Sequence, residues 1–188
     1  MNTIKSIAIL ISTFIFIFGG CSDRFQLPNE PETGAYINSL EKINITNFTA
    51  IETFNRILNP GIMKIVDQNI IVKGSILESS FESSNDLING SIIVTGNGRL
   101  NLNTGEGPVH GIFTLTPNDV AGGIWKGDWK GYRKMTGNME WTTNAHLVAH
   151  GEGGDMDGMM FYADEEIISN LPSGGPYTGE TSGYIKSK

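Results

Sequence analysis

From residue 62 onward, apolar and polar positions alternate in short runs separated by clusters of turn residues. Runs 62–66, 70–77 and 87–95 are rich in β-branched side chains, bounded by Asp67-Gln68-Asn69, Ser83-Ser84-Asn85-Asp86 and Gly96-Asn97-Gly98. Runs 99–103 and 109–116 follow, parted by Gly105-Glu106-Gly107-Pro108. Run 124–134 leads into Thr136-Gly137-Asn138, whose chemistry is that of a hairpin turn, and runs 139–150, 159–163 and 177–185 complete the chain. Short runs of this kind with no helical segment between them predict an antiparallel meander of roughly eight strands. A meander exposes two adhesive edges unless its first and last strands pair, so closure into a single barrel is expected.

Run 124–134 has the cleanest alternation. Trp125, Gly127, Trp129 and Gly131 share one face, while Ile124, Lys126, Asp128 and Lys130 share the other. A slip of one position would bury three unpaired charges, at several kcal/mol each against a total stability of ~5–15 kcal/mol. The Trp/Gly face is therefore predicted to point into the barrel, each glycine leaving space for an indole.

Residues 33–60 are ambiguous. Ile51, Phe54, Ile57 and Leu58 recur at helical spacing, which would suit a short helix within 36–58. Ile43, Ile45 and Phe48 suggest a strand instead. Asn59-Pro60-Gly61 reads as a turn, because proline sets φ and glycine permits a positive one.

Composition fits the β reading: 24 glycines, few alanines and leucines, and apolar stretches of Ile, Val, Thr and aromatics. The 188 residues carry 13 Lys+Arg against 20 Asp+Glu, a net charge of −7. With no basic stripe to offset it, that balance repels phosphate backbones and excludes nucleic acid as an expected partner. The single cysteine, Cys21, allows no disulfide within the chain.

The N-terminal segment changes the picture. Lys5 precedes a 12-residue apolar run, 7–18, broken only by Ser12 and Thr13. A helix spanning ~30 Å of hydrocarbon needs roughly 20 residues, so this run has the length of a signal-peptide core. Phe18-Gly19-Gly20-Cys21 then resembles the bacterial lipobox, in which small residues precede a cysteine that accepts diacylglycerol. Residues 1–20 are expected to be a lipoprotein signal peptide, Cys21 the lipidated first residue, 21–34 a flexible tether and 35–188 the barrel domain, with its core about 60–186. Acyl chains stabilise membrane association by ~0.8 kcal/mol per buried CH₂, so two or three anchor the protein stably. Ser22 after the cysteine resembles an outer-membrane sorting signal, which places the expected anchor in the outer membrane or at the cell surface.

Candidate chemistry is sparse. His146 and His150 lie four apart on one predicted strand, about 13 Å between Cα atoms, too far to share a zinc ion. His110 with His150, each before a glycine on separate strands, could meet, although ordinary barrel positions explain both. Asp155-Met156-Asp157-Gly158 resembles the start of a calcium loop whose twelfth position would be Glu166, but the apolar residues 159–162 between them read as strand. A Gly-Asp hairpin turn accounts for it, and no metal or other cofactor is expected. Asp164-Glu165-Glu166 reads as a solvated acidic loop. No nucleophile elbow and no dinucleotide fingerprint is present.

Three stretches carry a family resemblance: Gly107-Pro108-Val109-His110-Gly111, Trp125-Lys126-Gly127-Asp128-Trp129-Lys130-Gly131, and 149–160 with its glycines. In this order they resemble a group of secreted bacterial proteins expected to form lipocalin-like barrels. Residues 154–163 also resemble the glycine-rich hairpin of the allene oxide cyclase and dirigent barrels. The resemblance, over about 60–165, implies the barrel and little of function.

The expected function is a membrane-anchored barrel that binds a small apolar or amphipathic ligand or serves as an interaction module. The alternative is a cyclase- or isomerase-type enzyme acting inside the barrel. Trp125, Trp129, Arg133, Trp141, His110 and His150 are the candidate cavity-lining residues, and no catalytic residue is assigned. Cys21→Ala should abolish lipidation and leave an unprocessed precursor. Metabolic labelling with a palmitate analogue checks this, since equal label on both chains would contradict it.

Overall fold

The computed structural model describes residues 43–118, 122–137, 139–170 and 175–188. The expected signal peptide, Cys21 and the tether lie outside the described residues. Within them run β1 (Asn44–Asn59), β2 (Ile62–Val66), β3 (Asn69–Ser83), β4 (Gly90–Asn101), β5 (Gly107–Pro117), β6 (Ile124–Gly137), β7 (Glu140–Glu152), β8 (Met160–Ser169) and β9 (Tyr177–Ser187). Strands β3 to β9 each pair antiparallel with the next. β1 closes the ring. One edge pairs with β9 from Asn44–Ser187 to Thr53–Thr178, and the other pairs with β3 from Ala50–Ser83 to Asn59–Ile76. The fold is all-β, a closed eight-stranded antiparallel barrel with β2 as an additional strand.

Four expectations are corrected. Residues 44–59 form a strand and no helix: Phe48, Ala50 and Glu52 alternate inward, while Ile51, Ile57 and Leu58 are exposed. The helical spacing came from outward apolar residues together with register shifts between Phe54 and Arg56 and between Ile57 and Asn59. Second, Asn59-Pro60-Gly61 does not reverse the chain, because β2 continues along the same edge of β3, Ile62 opposite Lys73 and Val66 opposite Asn69. It is a kink, with Gly61 at φ 70° and so close to the Lys73 carbonyl that a Cβ would not fit. Third, β2 is not the strand that meets β9; the barrel begins at residue 44, ahead of the core expected from about 60. Fourth, Gly96-Asn97-Gly98 is no turn but the middle of β4, which joins most of runs 87–95 and 99–103 into one strand, Leu87 falling in a 3₁₀ turn.

The two ends of the barrel differ. At the end where β1 starts and β9 finishes, the bore is filled. Phe161 packs against Phe48, Trp125 and Phe113 at ring-centroid distances of 5.3, 5.9 and 6.0 Å. Two 3₁₀ turns plug this end, Asp86–Ile88 inserting Ile88 and Gly154–Met156 inserting Met156, both fully buried. Asn85 caps the first by accepting from the Leu87 amide, and the Leu87 carbonyl accepts from Trp125 Nε1 at 2.7 Å.

Towards the other end the bore is kept open by glycine. Trp129 on β6 sits opposite Gly111 on β5, which sits opposite Gly96 on β4. The indole lies across both, its Nε1 donating to the Thr95 carbonyl at 3.1 Å. A Cβ on Gly111 would come within 2.7 Å of that nitrogen, so the ring hugs the wall only because glycine is there. The predicted inward face of β6 is observed: Trp125 and Arg133 are buried, Trp129 is partly buried, and Lys126, Asp128 and Lys130 are exposed.

Gly127 has no room for a side chain, since a Cβ would lie 2.2 Å from the Val148 carbonyl oxygen and 2.6 Å from the Ala149 Cβ. Gly127→Leu should destabilise the barrel by roughly 1–3 kcal/mol or more, and Asp128→Asn by almost nothing. Urea denaturation of both variants measures the difference.

Candidate functional site

The open half encloses a funnel. A mouth of about 470 Å³, walled by Met63, Ile70, Val72, Leu100 and Val109 among others, leads inward. Behind it a chamber of about 120 Å³ is lined by Ile92, Phe113 and Leu147 together with Glu52, Glu165 and Tyr177. Trp129 and Arg133 border both spaces and mark their junction. A larger concavity of about 910 Å³ lies on the outer wall beside Lys130, His146, Asp164 and Glu180, but it is an open trough with no enclosing walls.

Neighbouring strands bring the chamber's polar groups together. Glu52 on β1, Glu165 on β8, Tyr177 on β9 and Ser79 on β3 all point inward and are buried. Ser79 Oγ lies 2.8 Å from the Tyr177 hydroxyl, which donates to Glu52 Oε1 at 2.6 Å. Glu165 lines the same chamber as Glu52, and its Oε1 accepts from Thr181 at 3.2 Å. Burial, then the charge of Glu52, pushes the Glu165 carboxyl well above the ordinary carboxylate range, so it holds its proton. The same two causes push the Tyr177 phenol up. Glu52 thus accepts from the Tyr177 hydroxyl inside the chamber. Gly179 makes this possible, because a Cβ there would fall 2.4 Å from Glu165 Oε1.

Across the bore, Arg133 donates to Ser169 Oγ at 3.1 Å and lies over the Trp141 ring at 5.2 Å. Burial lowers its pKa to about 10, which leaves it cationic at neutral pH. The chamber therefore combines apolar walls, one guanidinium and a buried carboxyl pair.

Of the candidate lining residues, Trp129 and Arg133 border the cavity. Trp125 belongs to the packed end. Trp141 is buried at the rim under the β4–β5 turn, donating to the Thr104 carbonyl at 2.9 Å, and supports Arg133 from behind. His110 and His150 are exposed on the outer wall, the opposite face from the cavity, because each occupies the odd register to the inward glycine or alanine beside it. Nor do they meet each other: His110 is opposite Lys130, and His150 is opposite Lys126 four residues away. His146 pairs with Asp164 at 2.9 Å and His150 with Glu152 at 3.0 Å. Among the described residues no three or more His, Cys, Asp or Glu side chains converge as a metal site. Asp155 stands in the 3₁₀ plug and Glu166 well along β8, exposed.

The acidic pair is not apparent from the sequence patterns above. Asp164-Glu165-Glu166 lies within β8 and is not a loop. Extending the alternation Phe161, Ala163, Glu165, Ile167 would have turned Glu165 inward, as Phe48, Ala50, Glu52 would have turned Glu52. Comparison with known protein families, with curated proteins and with solved structures returns no match.

The carboxyl pair fixes a sign for the pH dependence of stability. Glu165 keeps its proton when folded and releases it above its ordinary value of 4.5 when unfolded, so its contribution is full below that value and is lost as pH rises towards the folded pKa. Glu165→Gln keeps a donor to Glu52 but has no proton to lose. Relative to this variant, the wild type should lose up to about 1.4 kcal/mol per pH unit above that value. Urea titrations at a series of pH values test this, and parallel profiles would contradict a proton held by Glu165.

Proposed function

We propose that the protein is a lipid-anchored barrel that binds a small amphipathic molecule in its open half. The observation that carries this reading is the funnel: an apolar mouth narrowing to a chamber with Arg133 at the junction of the two and the Glu52–Glu165 pair inside. Such a site suits a ligand whose polar end is held inside and whose apolar part fills the mouth. Apolar lining gives affinity from area removed from water, and the few convergent polar groups give orientation.

Parinaric acid, a fluorescent fatty acid, should bind saturably and quench tryptophan emission by energy transfer, with Trp129→Phe reducing the transfer. Arg133→Met should weaken the acid about tenfold or more while affecting its methyl ester little, since hydrogen bonds to charged groups are worth ~1.5–3 kcal/mol. Absence of saturable binding for both probes would overturn the reading.

A second reading, an isomerase- or cyclase-type enzyme, is favoured by one specific observation. Two buried carboxyl groups, Glu52 and Glu165, line one chamber, and burial raises Glu165 well above the ordinary carboxylate range, an arrangement that suits one group to take a proton while its neighbour gives one. Molecules extracted from protein held in heavy water would then carry carbon-bound deuterium from the wild type and not from Glu52→Gln.

A further inference from the structure

The open end is bordered by a tongue that extends past the strand pairings closing the ring. β2, the start of β3 and the end of β4 form a three-stranded extension beyond the closed ring. Ile62, Met63, Ile65 and Val66 are 51–65 % exposed, so the tongue presents apolar side chains in sequence along its outermost strand. Successive strand residues point to opposite faces. Met63 turns towards the mouth and Ile62 away from it, so both faces of the tongue are apolar and wet. Leu102 on the β4–β5 turn and Met139 on the β6–β7 hairpin, 41 % and 65 % exposed, project from the same end.

Charge on the tongue runs against that of the chain. Lys64, Lys73 and Arg99 are exposed there with Asp67 as the single acidic residue, a local excess of positive charge on a chain of net −7. Exposed apolar side chains interleaved with basic ones are what an anionic lipid surface attracts, each basic residue near such a surface adding about 1 kcal/mol. A protein partner adding a strand would cover one edge, and a docking sheet one face; a bilayer interface surrounds both faces at once. β2 pairs with β3 along one edge only among the described residues, so it suits the hydrated headgroup layer and not the hydrocarbon interior.

We infer that the open rim, led by the β2–β3 tongue, docks on an anionic lipid surface and presents the cavity mouth to it. This deepens the ligand-binding reading and rests on it for purpose, since it names the bilayer as the phase that exchanges an amphipathic ligand with the mouth.

The test uses the full chain with Cys21→Ser, which removes the native thiol, and a nitrobenzoxadiazole label on Ile65→Cys. A second protein carries the label on Asp128→Cys, on the outer wall of the barrel. On vesicles of phosphatidylcholine with phosphatidylglycerol, the label at 65 should shift to the blue and be quenched by spin-labelled lipid, while that at 128 stays unchanged. Lys64→Glu with Lys73→Glu and Arg99→Glu should weaken this response at least tenfold, as should added salt. Both labels responding alike would mean that the apolar segment 7–18 alone holds the chain on the vesicle, which overturns the inference. A blue shift at 65 that rises with protein concentration without vesicles would assign the tongue to a second copy, and also overturns it. Parinaric acid binding in the same samples is read separately, so a failed rim and a failed cavity are distinguishable.

Discussion

The structure depends on β1 having a hydrogen-bonded neighbour on both edges. Seven strands in a meander would leave two open edges, each a row of unsatisfied amides and carbonyls. β1 meets β9 over one stretch and β3 over another, and in doing so converts an open sheet into a ring. Its inward residues then become parts of two different environments. Phe48 and Ala50 join the packed end, whereas Glu52 enters the cavity. The same strand that closes the barrel therefore delivers one half of its buried acid pair.

Closure by itself would give a filled bore. What separates the two halves is the distribution of large and absent side chains around the wall. At the packed end, four aromatic rings and the two inserted 3₁₀ turns consume the interior volume. At the other end, Gly111 and Gly96 let Trp129 lie flat, so the indole becomes lining and not filling. The register of β6 places Trp125 and Trp129 on the same face, yet their neighbours give one a structural part and the other a position at the cavity.

The polar groups inside carry a cost that a purely structural barrel would not bear. Burying a carboxyl pair is tolerable here because burial drives Glu165 towards its neutral form, while the Tyr177 hydroxyl donates to Glu52 and the Thr181 hydroxyl to Glu165. Arg133 is held by Ser169 and by the Trp141 ring. Residues of this kind, convergent around an otherwise apolar space, are the feature on which either a binding or an acid–base role would draw. The exposed tongue at the same end joins the cavity to the surface, so access and chemistry are concentrated at one pole of the barrel.

The strand pattern from residue 62, the barrel class and the inward face of β6 were legible because alternation and charge burial are local consequences of the sequence. A register slip would bury Lys126, Asp128 and Lys130, and no tertiary arrangement rescues that. The role of residues 44–59 was not legible, since bulges break the period of two at the very positions where the helical spacing arises. Pro60-Gly61 has the chemistry of a turn and serves as a kink, because β2 pairs with the same neighbour, β3, as the end of β1 does. Glu165 has the look of a solvated acidic run; its inward direction is set by how far β8 continues, and its raised pKa first by burial in the closed ring and then by the nearness of Glu52. Sequence thus determined which faces are apolar, while only the ring closure decided which distant residues meet, because contacts between β1, β8 and β9 depend on long-range register that no local pattern encodes.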